Sequence, residues 1–223
     1  MTAEEKIDLL NSYGDLDELT DKHFAVLRSL STDDDAYVRS LVASLLVDFD
    51  NKEARNLLLM LATDDDPLVR TEAYDSLSTF CFPEVEKKLI DVIAIEKDDM
   101  ARSYAILSLV NVVLHLESDP NQYVKFLQKL ELSEKSDACI LGCCYGLYLF
   151  GDDSYLEKVL SFLEHGDYHL RCMTLNLLPE IITEKNESQI LDSIALLAMR
   201  EESVAVKSTI MSLFPNTHIK SDL

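Results

Sequence analysis

Apolar residues recur at intervals of three and four along nearly the whole chain, which is the spacing of one face of an α-helix. Leu57, Leu58, Leu61, then Leu89, Ile90, Ile93, then Leu156, Val159, Leu160, Leu163 show it most cleanly. The pattern predicts a helix from Ala3 to Ser12 behind a Thr2/Glu5 capping box, ended by Gly14. It predicts a second helix from Asp17 to Leu30 and a third from Asp35 to Phe49. From there it predicts helical pairs. The first members are Lys52–Ala62, Pro83–Ala94, Pro120–Leu130, Ser154–Glu164 and Ser188–Arg200. The second members are Asp66–Phe80, Asp98–Leu116, Ser136–Phe150, Asp167–Ile182 and Ser203–Phe214. Five Gly and five Pro leave little room for a turn-rich β fold.

The second members share one phrase: DAYVRSLVASLL from Asp35, DPLVRTEAYDSL from Asp66, DDMARSYAILSL from Asp98. An acid precedes an Arg by four, with a small residue three to four places after the Arg and Leu seven after it. Taken as a ruler, the Arg position falls at 39, 70, 102, 139, 171 and 207, intervals of 31, 32, 37, 32 and 36. That is at or near the period of stacked helical hairpins. Two rungs depart: Cys139 and Lys207 stand in the Arg position, and Lys135 and Ser203 in the acid position. The motif resembles the HEAT-like repeats first described in phycobilisome lyase subunits. The expected fold is therefore all-α, a right-handed α-solenoid of about six hairpins after an N-terminal capping helix, with residues 1–223 forming one domain. Such repeats carry many activities, so the resemblance speaks to fold and hardly to function.

The acid and the Arg lie one helical turn apart on the same face. Asp35, Asp66, Asp98 and Asp167 are expected to cap the first turn through its free N–H groups. Arg39, Arg70, Arg102 and Arg171 are expected to lie partly covered, pairing with Asp groups in their own and the adjacent turn and holding hairpins in register. This is a structural ladder rather than a catalytic set.

The same ruler sorts the helix faces. One before the Arg and three, four and seven after it face the core: Val38, Val42, Ala43, Leu46; Val69, Ala73, Tyr74, Leu77; Ala101, Ala105, Ile106, Leu109. Two, five and nine after it point away and are expected to line a concave surface. The eighteen positions are Leu41, Ser44, Asp48; Glu72, Asp75, Thr79; Tyr104, Leu107, Asn111; Leu141, Cys144, Tyr148; Met173, Asn176, Glu180; Thr209, Ser212, Asn216. None is basic. The central ones are aromatic or apolar and Glu72, Asp75 and Glu180 flank them, an apolar patch in a polar rim such as interaction sites use. Tyr104, Leu107, Asn111, Leu141, Tyr148, Met173 and Asn176, with those three acids, are the candidate partner-binding residues. The structural alternative is that the irregular fourth rung twists, turning Leu141 and Tyr148 into core.

Charge narrows the partner. Twenty Lys and Arg against forty-one Asp and Glu give a net charge of -21, which repels phosphate backbones and anionic membranes and attracts basic proteins. The longest uncharged runs, Ser103–Leu116 and Ala138–Gly151, are fourteen residues each, too short to span a bilayer. Five Cys and an acidic start without an export signal fit a cytoplasmic protein with reduced thiols. Cys139, Cys143, Cys144 and Cys172 lack a CxxC pair and read as core. His165 and His169 lack the glutamate of HExxH, His23, His115 and His218 have no partner pattern, and no nucleotide or nucleophile-elbow motif occurs. The DDD runs at Asp33 and Asp64 lack the glycine and terminal glutamate of a calcium loop and read as solvated turns with an N-cap at the end.

The chain is accordingly expected to be a cofactor-free, non-catalytic monomer that binds a basic protein. An immunity-type inhibitor masking a basic toxin or nuclease is one form of that role. The lyase resemblance implies a chromophore-lyase-like subunit or chaperone instead. A HEAT-like DNA repair glycosylase would need a basic groove, which this chain lacks.

Overall fold

A computed structural model describes residues 1–116 and 119–215 of the chain; Asn216 and His218 of the expectations above lie outside the described residues. Among the described residues there are thirteen α-helices and no strand. None of these helices is long and apolar enough to cross a membrane. The chain forms two compact units, Met1–Pro120 and Asn121–Leu223.

In the first unit α1 (Ala3–Gly14), α3 (Ala36–Leu45), α5 (Pro67–Leu77) and α7 (Asp99–His115) pack side by side in sequence order. They are backed by α2 (Asp21–Leu30), α4 (Lys52–Leu61) and α6 (Pro83–Ile93). Each unit is thus a stack of helical hairpins. The Thr2/Glu5 capping box forms: Thr2 N–H donates to Glu5 Oε2 (2.8 Å) and Glu5 N–H to Thr2 Oγ1 (3.2 Å). The second helix begins at Asp21, not Asp17, because Thr20 is its N-cap and donates its N–H to His23 Nδ1 (3.1 Å). All twelve residues assigned to the core of α3, α5 and α7 are buried. Two buried serines tie these helices together: Ser76 donates to the Ala43 carbonyl (2.9 Å) and Ser108 to the Tyr74 carbonyl (2.7 Å).

In the second unit α9 (Asp137–Leu149) packs against α8 (Asn121–Ser133), α10 (Tyr155–Ser161) and α11 (Tyr168–Leu177). Next come α12 (Glu187–Arg200) and α13 (Val204–Leu213), and α11 lies against α13. Helices α3, α10 and α11 each tighten into one 3-10 turn at the C-terminus.

The ladder forms, with a different partner for each Arg. As expected, Asp35, Asp66, Asp98 and Asp167 cap their helices, accepting from the N–H groups of Tyr37, Leu68, Ala101 and His169 at 2.9 Å. The guanidinium, however, takes the carboxylate two residues before the next N-cap. Arg39 grips Asp64 through Nε and Nη2 (2.8 and 2.7 Å), Arg70 grips Glu96 (2.6 and 2.7 Å) and Arg171 grips Glu201 (2.7 and 2.8 Å). Its third nitrogen donates to carbonyls of its own turn, Asp33, Asp64 and His165 respectively. Arg102 reaches Asp99 Oδ1 (3.2 Å) in its own turn. The bidentate fork explains the choice: it needs a carboxylate facing it end-on from the neighbouring turn, whereas the N-cap carboxylate is committed to backbone N–H groups.

Asp33 and Asp64 are therefore not the solvated turn residues the DDD runs suggest. Asp33 accepts the Lys6 ammonium of α1 (2.6 Å) and the Asp35 N–H, so the capping helix supplies the first rung with a lysine. Acceptors also cap in every rung, Glu96 holding the N–H groups of Lys97 and Asp98 (2.9 and 3.0 Å) and Glu201 those of Glu202 and Ser203 (3.0 and 2.8 Å). Burial disfavours the charged form of Asp64, Glu96 and Glu201, but the Arg and amide donors outweigh it. All three carboxyls stay below their ordinary range, Glu96 at about 2. The fourth rung, where Cys139 replaces the Arg, changes on both sides: its acceptor position holds His165. The His165 Nδ1 accepts the Asp167 N–H (3.0 Å), and Nε2 lies 3.1 Å from Asp137 on the first turn of α9.

Candidate protein-binding face

The away-facing positions fall into two sets, one in each unit. In the first unit the structure brings Glu72 and Asp75 of α5 to Tyr104 of α7, within electrostatic reach of one another. The three residues belong to neighbouring helices, and their register follows from the 32-residue interval between Arg70 and Arg102. Tyr104, Leu107 and Asn111 are half-buried, as is Glu72, while Asp75 keeps an exposed side chain. Among the described residues neither carboxylate enters an ion pair or a hydrogen bond.

Burial pushes the Glu72 carboxyl above its ordinary value, and the neighbouring Asp75 adds to the effect. Burial does the same for Asp75. Asp75 is exposed and carries no cationic partner among the described residues, so its charge favours a cation there. The Tyr104 phenol is likewise raised, by burial first and then by Asp75 and Glu72. The arrangement is a tyrosine beside two unneutralised acids, with Leu107 and Asn111 extending it along α7.

In the second unit the expectation needs correction. Leu141 is fully buried (0% exposed) and Cys144 nearly so (1%). Neither belongs to an accessible face. Helix α9, DACILGCCYGLYL, carries apolar side chains all round, and such a helix is covered on every side rather than on one stripe. Tyr148 is half-buried and its hydroxyl accepts from Asn186 Nδ2 (2.8 Å). Met173 is half-buried, whereas Asn176 and Glu180 are exposed. Glu180 helps burial hold the Tyr145 phenol up at about 12. Tyr148 therefore serves partly as a structural partner of Asn186.

The cysteines of α9 offer no activated nucleophile. The Cys143 and Cys144 thiols are pushed up by burial first and then by neighbouring acids and thiols, Cys144 to about 12, the opposite of a reactive thiolate. Among the described residues no three His, Cys, Asp or Glu side chains are grouped so as to hold a metal ion. Sequence reasoning overlooked Glu131, whose carboxylate collects the Tyr155 hydroxyl (2.9 Å), the Lys158 ammonium (2.9 Å) and the Cys144 thiol (3.9 Å). It also overlooked the ladder acceptors. Their signal was present in the sequence, since Asp33, Asp64, Glu96 and Glu201 each stand two residues before an N-cap.

Residues 24–110, from α2 into α7, match the model of a family described as HEAT repeats. The match is to HEAT repeats in general and does not single out the phycobilisome lyase type. No curated protein matches the chain significantly.

Proposed function

We propose, from the premise that this chain is a HEAT-like repeat protein, that it is a non-catalytic module binding a basic protein through the away-facing side of α5 and α7. HEAT repeats generally serve as protein-interaction scaffolds. The observation that carries the reading is the pair of carboxylates on Glu72 and Asp75, close together and without a cation of their own, beside Tyr104. Folding leaves these charges uncompensated, and a cationic side chain from a partner would relieve that while the tyrosine ring supplies contact area. The net charge of -21 steers a basic partner towards the chain from a distance.

Truncating an aromatic anchor commonly costs 2 kcal/mol or more, roughly a thirtyfold loss of affinity. Tyr104→Ala is expected to weaken the native partner by about that factor, and Asp75→Lys to slow its association, measured by surface plasmon resonance at two salt concentrations. Lys52→Ala, on an exposed position of α4, is the control. Normal binding by both face variants would exclude this site.

The same acids make an opposite prediction for the free protein. A carboxyl whose folded pKa is raised costs stability, and the cost grows as pH rises from the unfolded towards the folded pKa and stays in full above it. Asp75→Asn is therefore expected to raise the melting temperature at neutral pH while weakening the partner. A variant that melts lower than wild type would show that the carboxylate is supported rather than strained.

A further inference from the structure

The edge of the first unit that carries the ladder has a second, separate property. The second residue of each second helix is a large apolar side chain left in water: Tyr37 in α3 (51% exposed), Leu68 in α5 (45%) and Met100 in α7 (42%). They hold the same register, each two residues before its Arg and two after its N-cap Asp. Since α3, α5 and α7 are neighbours in that order, the three form a row across the helix ends. Ile95, 74% exposed, and Met60 stand on the same edge. They line the shallow depressions beside the Arg70–Glu96 and Arg39–Asp64 pairs. Single exposed apolar residues are ordinary, but a row repeated at one register is not.

Core packing does not explain the row. The Arg stems and acceptor carboxylates beneath it already close each hairpin, and the N-cap carboxylates satisfy the first turns. Around it Asp34, Asp35 and Asp65 are exposed carboxylates. The guanidinium groups of Arg39 and Arg70 are taken up by Asp64 and Glu96, which leaves Lys88 and Lys97, both lining the depression beside the Arg70–Glu96 pair, as the nearby ammonium groups. The surface is apolar along its centre and predominantly acidic at its margin.

We infer that this edge is a second docking surface, for a basic amphipathic helix of a partner protein laid across the N-terminal ends of α3, α5 and α7. Spacing favours a helix over an extended segment. Packed helices stand about 8–10 Å apart, and residues seven apart on an α-helix are about 10.5 Å apart along its axis. An apolar residue at every heptad position thus meets Tyr37, Leu68 and Met100 in phase, and Lys or Arg on the flanks meets Asp34 and Asp65. The surface is distinct from the one on Glu72, Asp75 and Tyr104, and either can fail without the other.

The test uses a synthetic peptide of about 20 residues, long enough at about 30 Å to cross three helices. It carries Leu at the heptad a and d positions, Lys on the flanks and a fluorescent label for anisotropy. The wild-type chain is expected to bind it in the micromolar range, and a version with Glu for every Lys is expected not to bind. The deciding variant is Leu68→Glu. It adds a negative charge, so a purely electrostatic attachment would tighten, whereas docking on the row is expected to weaken at least tenfold. The double variant Tyr37→Ala/Met100→Ala removes contact without changing charge and is expected to do the same, with melting temperatures confirming that both proteins fold. Asp75→Lys is expected to leave peptide binding within twofold. No binding by the wild type, equal or tighter binding by Leu68→Glu, or loss confined to Asp75→Lys would each overturn the inference.

Discussion

Glu96→Ala is expected to lower the stability of the first unit by about 3–5 kcal/mol, the range for breaking a buried pair by removing one member. The Glu96 side chain is 4% exposed and serves three groups at once. It receives the Arg70 fork, the Tyr74 hydroxyl (3.1 Å) and the N–H groups just before α7. Its loss strands a largely covered guanidinium, removes one of the two acceptors of a buried phenol and frees the Lys97 and Asp98 N–H groups of the turn before α7, so the effect exceeds that of an exposed ion pair, about 0.3–0.5 kcal/mol. For a chain of this size a change of that order moves the melting temperature by roughly 10 °C. A shift within 1 °C or so would mean that the ladder is ornamental.

The pH dependence has a definite sign. The folded Glu96 carboxyl titrates at about 2 against an ordinary 4.5, so its contribution is present above the ordinary value and is lost as pH falls towards 2. That gap corresponds to about 3 kcal/mol, the same order as the mutational figure. Wild type is expected to lose stability steadily between those limits, with Asp64 and Glu201 adding to the slope because their carboxyls are also depressed. Glu96→Gln is expected to flatten the curve. Equal acid sensitivity of the two proteins, followed by circular dichroism, would assign the loss to other groups.

The second large effect is expected in the irregular rung. Cys139→Arg restores the Arg of the repeat at a fully buried position whose acceptor is His165 instead of an acid. The new guanidinium has no carboxylate to grip, and an uncompensated buried charge costs about 3–5 kcal/mol. Adding His165→Glu supplies the missing acceptor, two residues before the N-cap Asp167, where the other rungs keep theirs. The pair is expected to recover most of the loss, a coupling of about 1–3 kcal/mol in a double-mutant cycle. A double variant no more stable than Cys139→Arg alone would show that this rung departs from the ladder in its backbone as well as in its side chains.

Much of this architecture is local, and local physics is legible in a sequence. The three-and-four spacing of apolar residues determined the helices, and the phrase from acid to Arg to Leu determined their register. Hence all the core positions of α3, α5 and α7, from Val38 to Leu109, are buried as the sequence indicates. The N-cap roles of Asp35, Asp66, Asp98 and Asp167 followed from the same spacing, since a cap and its amide lie two or three residues apart.

What the sequence left open depended on residues distant along the chain. Asp35 and Asp64 look alike within their DDD runs. Only the stacking of one hairpin on the next, 25 residues from Arg39 to Asp64, makes Asp64 the partner of the Arg. Helix α9 failed for a different reason. With apolar residues on every side it contains no polar face from which to read an outward direction, so Leu141 and Tyr148 stood at equivalent positions of the ruler. The tertiary structure buried the one, and set the other half-buried with its hydroxyl on Asn186. The row of Tyr37, Leu68 and Met100 was written in the sequence from the start. Its exposure became visible only when the packed helices covered every other side chain of comparable size in those first turns.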